Sequence, residues 1–122
     1  MTEIAEIQES LKKLQHHLGV VFTDVNHLLV AITHRSYLNE HREATQDHNE
    51  RYEFLGDAVL ELVVTDFLFR KYPEKPEGEL TAVRAALVNT VSIADASSKL
   101  GINEYLLLSK GEERDTGRAR QY

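Results

Sequence analysis

The sequence predicts an all-α domain, and three features carry that prediction. Apolar residues recur at steps of three and four over most of the 122 residues. One apolar-periodic run extends to Tyr72 and stops at Pro73, which is long enough for the central helix of a small domain. Only Tyr105-Leu106-Leu107-Leu108 has strand-like character.

The elements follow in order. Ile4, Ile7, Leu11, Leu14 and Leu18 mark a first amphipathic helix, with Gly19 as its stop. Asp24 is placed to cap a second helix carrying Val25, Leu28, Leu29 and Ile32. Residues 38 to 47 are polar and read as a loop. Asp47 followed by Glu50 resembles a capping box and opens the long helix, whose run includes Phe54, Leu55, Val59, Leu62, Val63 and Phe67. Residues 73 to 78 read as a turn. Leu80, Val83, Leu87 and Val88 begin a further helix, continued by Ile93, Ala94 and Leu100 and capped by Gly101. No boundary or repeat divides residues 1 to 122, so one domain is expected.

Composition narrows the function classes. At 13.9 kDa, with 42% hydrophobic and 28% charged residues, the chain is ordinary globular material. It has no cysteine, which excludes thiolate metal sites, disulfides and a thiol nucleophile. No segment has the apolar length of a membrane span, and no signal region follows Met1. A cytoplasmic protein is the default. The net charge of −6 weighs mildly against nucleic-acid binding, but a carboxylate cluster that holds cations reverses its own local field.

The chemistry concentrates on the long helix. Glu50, Glu53, Asp57 and Glu61 fall within roughly 80° of one another on the helix wheel. Like charges at that spacing repel by a few tenths of a kcal/mol per pair. A solvated acidic face is the bland explanation. A hard-cation site is the other: magnesium takes oxygen ligands, and Glu53 and Asp57 lie one turn apart. Gly56 lets a ligand or backbone approach beside Asp57, though glycine inside a helix costs about 1 kcal/mol. Instability accepted at one place is characteristic of sites.

The surrounding residues are more specific. Asn49-Glu50-Arg51-Tyr52-Glu53-Phe54-Leu55-Gly56-Asp57-Ala58-Val59-Leu60 closely resembles the signature of the ribonuclease III family. Thr33-His34-Arg35-Ser36-Tyr37 resembles that family's motif at the end of its second helix. Glu77-Gly78-Glu79-Leu80 with Arg84-Ala85-Ala86-Leu87-Val88 resembles its next segment. Tyr52 departs from the pattern, where Leu or Met is usual, and is expected to alter packing more than chemistry.

The resemblance implies a ribonuclease III-like helical endonuclease fold and a homodimer or higher oligomer that binds double-stranded RNA. It implies phosphodiester hydrolysis with magnesium, or manganese in its place, leaving 5′-phosphate and 3′-hydroxyl ends. Carried over by position, Glu53 and Asp57 are metal-site carboxylates. Glu50 and Glu77 match a supporting acidic pair. His34 and Arg35 stand as RNA contacts, against a structural reading in which they finish a helix.

Two further metal-site carboxylates of the family belong to a later Leu-Ala-Asp/Asn, two residues, Glu-Ala-Leu segment that the 122 residues do not contain. The expected fold is therefore incomplete at its C-terminus, with truncation of a longer coding sequence the favoured explanation. Exposed apolar surface, oligomerisation, domain exchange or marginal stability are expected to follow. Lys110, Arg114, Arg118 and Arg120 form a basic stretch, read as a tail or as phosphate contacts, with Arg118 a candidate for RNA. His16, His17, His41 and His48 read as solvated. Arg84 is expected to pair with an acidic residue. Two alternatives stand beside the nuclease: a non-catalytic fragment that dimerises or binds RNA, and a helical magnesium-dependent nucleotide pyrophosphatase, which the flanking motifs do not support.

Overall fold

The structure is a computed structural model that describes residues 3–114. Seven α-helices and one 3-10 turn make up the described chain: α1 (Glu3–Leu18), α2 (Val25–Ile32), α3 (Arg35–Glu40), α4 (Glu50–Lys71), α5 (Glu77–Leu87), α6 (Thr90–Leu100), the turn Ile102–Tyr105, and α7 (Lys110–Arg114). Among the described residues the only β-pairing is one isolated parallel bridge, Thr33 to Leu107. The domain is all-α, as its periodicity predicts.

A compact hub forms where both ends of the described chain meet. Leu11 and Leu14 of α1 pack on Leu28 and Ile32 of α2. Phe22, Leu29, Ile102, Tyr105, Leu106 and Leu107 close around them. Gly19, at φ 70°, ends α1 as expected. Asp24 caps α2 through its carboxylate, which accepts the Asn26 N–H at 3.0 Å.

Thr33 is the hub's junction and is fully buried. Its hydroxyl donates to the Leu29 carbonyl at 2.6 Å, and its carbonyl accepts the Asn49 N–H at 2.9 Å. On either side of it, Leu107 N–H donates to Ile32 and His34 N–H donates to Leu107, both at 2.9 Å. These bonds tie the end of α2 to the start of α4 and to the segment after the 3-10 turn.

Several expectations are corrected. Residues 38 to 40 are not loop but the end of α3. His34 does not finish a helix; it opens α3, with its Nδ1 accepting the Ser36 N–H at 3.1 Å. The capping box does not form. Asp47 turns its carboxylate to the adjacent His48 N–H at 2.8 Å, and α4 begins later, with Asn49 at its N-cap.

The apolar period through 80 to 100 is two helices. Asn89 divides them: its Nδ2 donates to the Ala85 and Ala86 carbonyls, and its Oδ1 accepts the Ser92 N–H at 2.9 Å. One side chain thus satisfies orphan groups of both helix ends. Gly101, at φ 75°, closes α6 as expected. His41 and His48 are only a quarter exposed rather than solvated.

The largest correction concerns α4. It has the predicted length and stops before Pro73, yet it is not the centre of a core. Leu68 is its one buried residue among those described, while Phe54 is 85% and Leu62 68% exposed. A helix apolar on several sides is built for burial on several sides. Here it packs mainly on α5, with lesser contact to α2. The exposed apolar surface expected from the sequence is present, and it is concentrated on this helix.

Candidate functional site

The carboxylate face of α4 is positioned from the Thr33 junction. Asn49, just before the helix, donates its side-chain amide to the Ala31 carbonyl at 3.0 Å and its N–H to Thr33. The Thr33-His34-Arg35-Ser36 motif therefore fixes where α4 starts and which way its first turns point. Ser36 extends the same frame. Its hydroxyl contacts His34 Nδ1 at 2.7 Å and accepts the Ser109 N–H at 2.9 Å. Because Nδ1 also accepts the Ser36 N–H, the His34 ring carries its proton on Nε2 when neutral.

The four-carboxylate stripe divides into two kinds. Its outer members have arginine partners. Arg35 reaches Glu50 at 2.7 Å, and Arg84 reaches Glu61 at 3.6 Å while also donating to the Thr65 hydroxyl at 3.0 Å. Its inner members, Glu53 and Asp57, make no ion pair among the described residues and are exposed. A Cβ built on Gly56 would meet nothing within 4 Å, so the backbone beside Asp57 stands open.

Glu50, Glu53, Gly56 and Asp57 line one open-sided hollow of about 680 Å³, closed across by Thr90 and Ile93 of α6. Glu50 and Glu53 also border an adjoining hollow that includes His34, Arg35 and Asn49. The structure thus brings Glu50, Glu53, Asp57, His34 and Arg35 to one side of the molecule. Glu77 is not with them. It sits in the first turn of α5 against Thr65, Leu68 and Arg84, roughly 12 Å or more farther along α4 at 1.5 Å per residue. Arg118 lies outside the described residues.

Arg35 and Glu50 are both half exposed, so their pair contributes about 0–1 kcal/mol. Tyr52, the departure noted above, links α4 to α2: its hydroxyl meets His27 Nδ1 at 2.8 Å. Sequence reasoning missed Asn49 and Thr33, which position the site without belonging to it. An asparagine one residue before a helix was the available signal for the first.

The described chain is thus a helical domain in which an open carboxylate pair lies next to a Thr-His-Arg-Ser turn that holds the start of its helix. A family model described as ribonuclease-III-like matches residues 24–122, and the chain belongs to that family. It is 52% identical over 108 residues to ribonuclease 3 of Enterococcus faecalis, covering 88% of this chain and 47% of that protein. It is 50% identical over 113 residues to ribonuclease 3 of Bacillus cereus, covering 93% and 46%. The chain therefore spans about half the length of these relatives. Among solved structures it resembles the nuclease domain of Campylobacter jejuni ribonuclease III, with a TM-score of 0.77 and 40% identity, covering 92% of this chain and 73% of that one. That domain is described for flexibility in a region involved in its dimer formation.

Proposed function

We propose that this chain provides the nuclease fold, and part of the metal site, of an endoribonuclease that hydrolyses double-stranded RNA and leaves 5′-phosphate and 3′-hydroxyl ends. The observation that carries this reading is the division of the acidic stripe. Arginines hold the outer carboxylates, while among the described residues Glu53 and Asp57 stay exposed and without a cation partner, beside an open glycine.

Magnesium commonly binds through one or two carboxylates and several waters, and this inner pair fits that donor set. Bound there, the ion would lower the pKa of a water and offset charge on the phosphate. Glu53 and Asp57 would hold it, with manganese as a substitute. Arg35, kept in place by Glu50, presents its guanidinium beside the adjoining hollow that Glu53 shares, where an RNA phosphate would lie. His34 stands on that rim with Nε2–H available as a donor. Glu77 and Arg118 belong to this reading by position in the family pattern. Glu77 would act at a different stretch of the bound duplex from Glu53.

The open apolar surface of α4 supports a second copy of the chain as partner, giving a homodimer or higher oligomer. Among the described residues no helix is long and apolar enough to cross a membrane. A cytoplasmic setting suits an RNA-processing enzyme of this kind.

The test is cleavage of labelled long double-stranded RNA with magnesium, by this chain and by Asp57→Asn. Cutting by the chain and a loss of about 100-fold or more in the variant are expected. Binding of the RNA by both chains, with cleavage by neither, would replace this reading with the non-catalytic one.

A further inference from the structure

A second group of metal-ligating side chains lies away from the α4 face. Glu3 opens α1, His41 follows α3, and Glu43 lies in the loop beyond it. One donor atom from each falls within 4.8 Å of the other two, the one such trio of histidine and carboxylate donors among the described residues. The trio stands at the far end of α3 from the Arg35–Glu50 pair, so it is separate from the site described above.

The orientation of His41 is the informative feature. Its Nδ1 lies 3.0 Å from the Tyr37 carbonyl, an acceptor, so Nδ1 carries the proton. Its Nε2 faces the Glu3 carboxylate at 3.0 Å. At that distance a proton, on the ring or on the carboxyl, or a metal ion lies between the two atoms. Metal-bound histidines characteristically donate the other ring nitrogen to a main-chain carbonyl, which fixes the ring and its tautomer. His41 has that arrangement, and stacking on Tyr37 at 4.0 Å between ring centroids holds the plane.

The surroundings carry excess negative charge. Among the described residues, Glu3, Glu6, Glu40 and Glu113 line the adjoining hollow with Lys110 as the one lysine or arginine side chain, and Glu43 stands beside it. The Tyr37 phenol records that environment: its pKa is pushed up to about 12, first by burial, then by its hydrogen bond to Glu3, then by the charges of Glu3 and Glu43.

We propose that Glu3, His41 and Glu43 form a binding site for a borderline divalent transition-metal ion such as Zn2+. An imidazole with two carboxylates suits that class, whereas magnesium prefers oxygen alone. In a tetrahedral zinc site, donor atoms about 2.0–2.2 Å from the metal lie about 3.4 Å from one another. The donor atoms of the trio lie within 4.8 Å of one another, so binding an ion requires them to draw in, and Glu43, exposed in its loop, has room to move. Water supplies the remaining position. The ion would clamp the start of α1 to the end of α3, a structural role independent of the nuclease chemistry.

The experiment is thermal unfolding and calorimetric titration with buffered Zn2+ in excess magnesium. The chains are the full sequence, His41→Gln, Glu43→Gln and Asp57→Asn. Zinc near 100 times its Kd is expected to raise the Tm of the full sequence and of Asp57→Asn by at least about 5 °C. His41→Gln and Glu43→Gln should weaken zinc binding by about tenfold or more and lose the shift. If His41→Gln does not fold, Glu43→Gln decides, because Glu43 lies exposed in a loop. No zinc shift in the full sequence would overturn the proposal. A shift equal in all four chains would do the same, and the Glu3–His41 contact would then be a simple imidazolium ion pair.

Discussion

The hub and the α4 arm are made of the same apolar residue types and end in opposite conditions. In the hub, Leu14 is fully buried and its neighbours come from α1, α2 and the 3-10 turn. In the arm, Phe54, Leu62, Val63 and Phe69 are more than half exposed. The difference shows that an apolar pattern records which faces a helix is built to cover, not which faces one chain alone covers. It also separates duties: the hub holds the chain together, and the arm presents the carboxylates.

Substitutions can break or sharpen that contrast. The widest gap is expected between Leu14→Ala, costing about 2–5 kcal/mol, and Phe54→Ala, costing less than about 0.5 kcal/mol in urea unfolding of the dilute monomer. Equal costs would mean that the arm is packed as tightly as the hub.

Next in size is an alkaline effect at the edge of the hub. Tyr37 is nearly fully buried, and its folded pKa is about 12 against the ordinary 10. The folded state therefore holds this proton more tightly than the unfolded chain does. The resulting stability is complete below pH 10 and is lost as pH rises through 12. Tyr37→Phe should flatten the stability profile across that window.

Thr33→Val removes the hydroxyl bond to Leu29 at the junction and is expected to cost about 1–1.5 kcal/mol. Asp24→Ala, which uncaps α2, should cost about 1 kcal/mol. Arg35→Ala stands last, at about 0–1 kcal/mol of stability. Its loss should register in RNA affinity before it registers in melting.

Much of this was legible in the sequence because it is local. Gly19, Asp24 and Gly101 act on their own helix ends as their residue types dictate. The Arg84–Glu61 pair follows the expectation that Arg84 meets an acidic partner. The shared face of Glu53 and Asp57 follows from helix periodicity alone.

What was not legible depends on distant neighbours or on competing caps. α3 is too short to show a period, and its first turn is capped by a histidine rather than by a common capping residue. The break at Asn89 leaves the apolar pattern uninterrupted because α5 and α6 both place apolar residues near it. His41 is drawn out of solvent by Tyr37 and by Glu3, the latter from the opposite end of the hub's sequence. The division of the acidic stripe needed Arg35, which no helical period connects to Glu50.

The hydrogen bond from Ser109 to Ser36 spans 73 positions of sequence, and the Thr33–Leu107 bridge lies beside it. During synthesis the hub cannot close until residue 107 has left the ribosome. By then the whole of α4, α5 and α6 has already emerged. Closing so long a loop is slow relative to forming the local α4–α5 contacts. The α4–α5 contacts therefore form first, and the apolar residues of α1 and α2 wait for residues 102–107 to cover them, so these hub residues are most open to chaperones just before the hub closes.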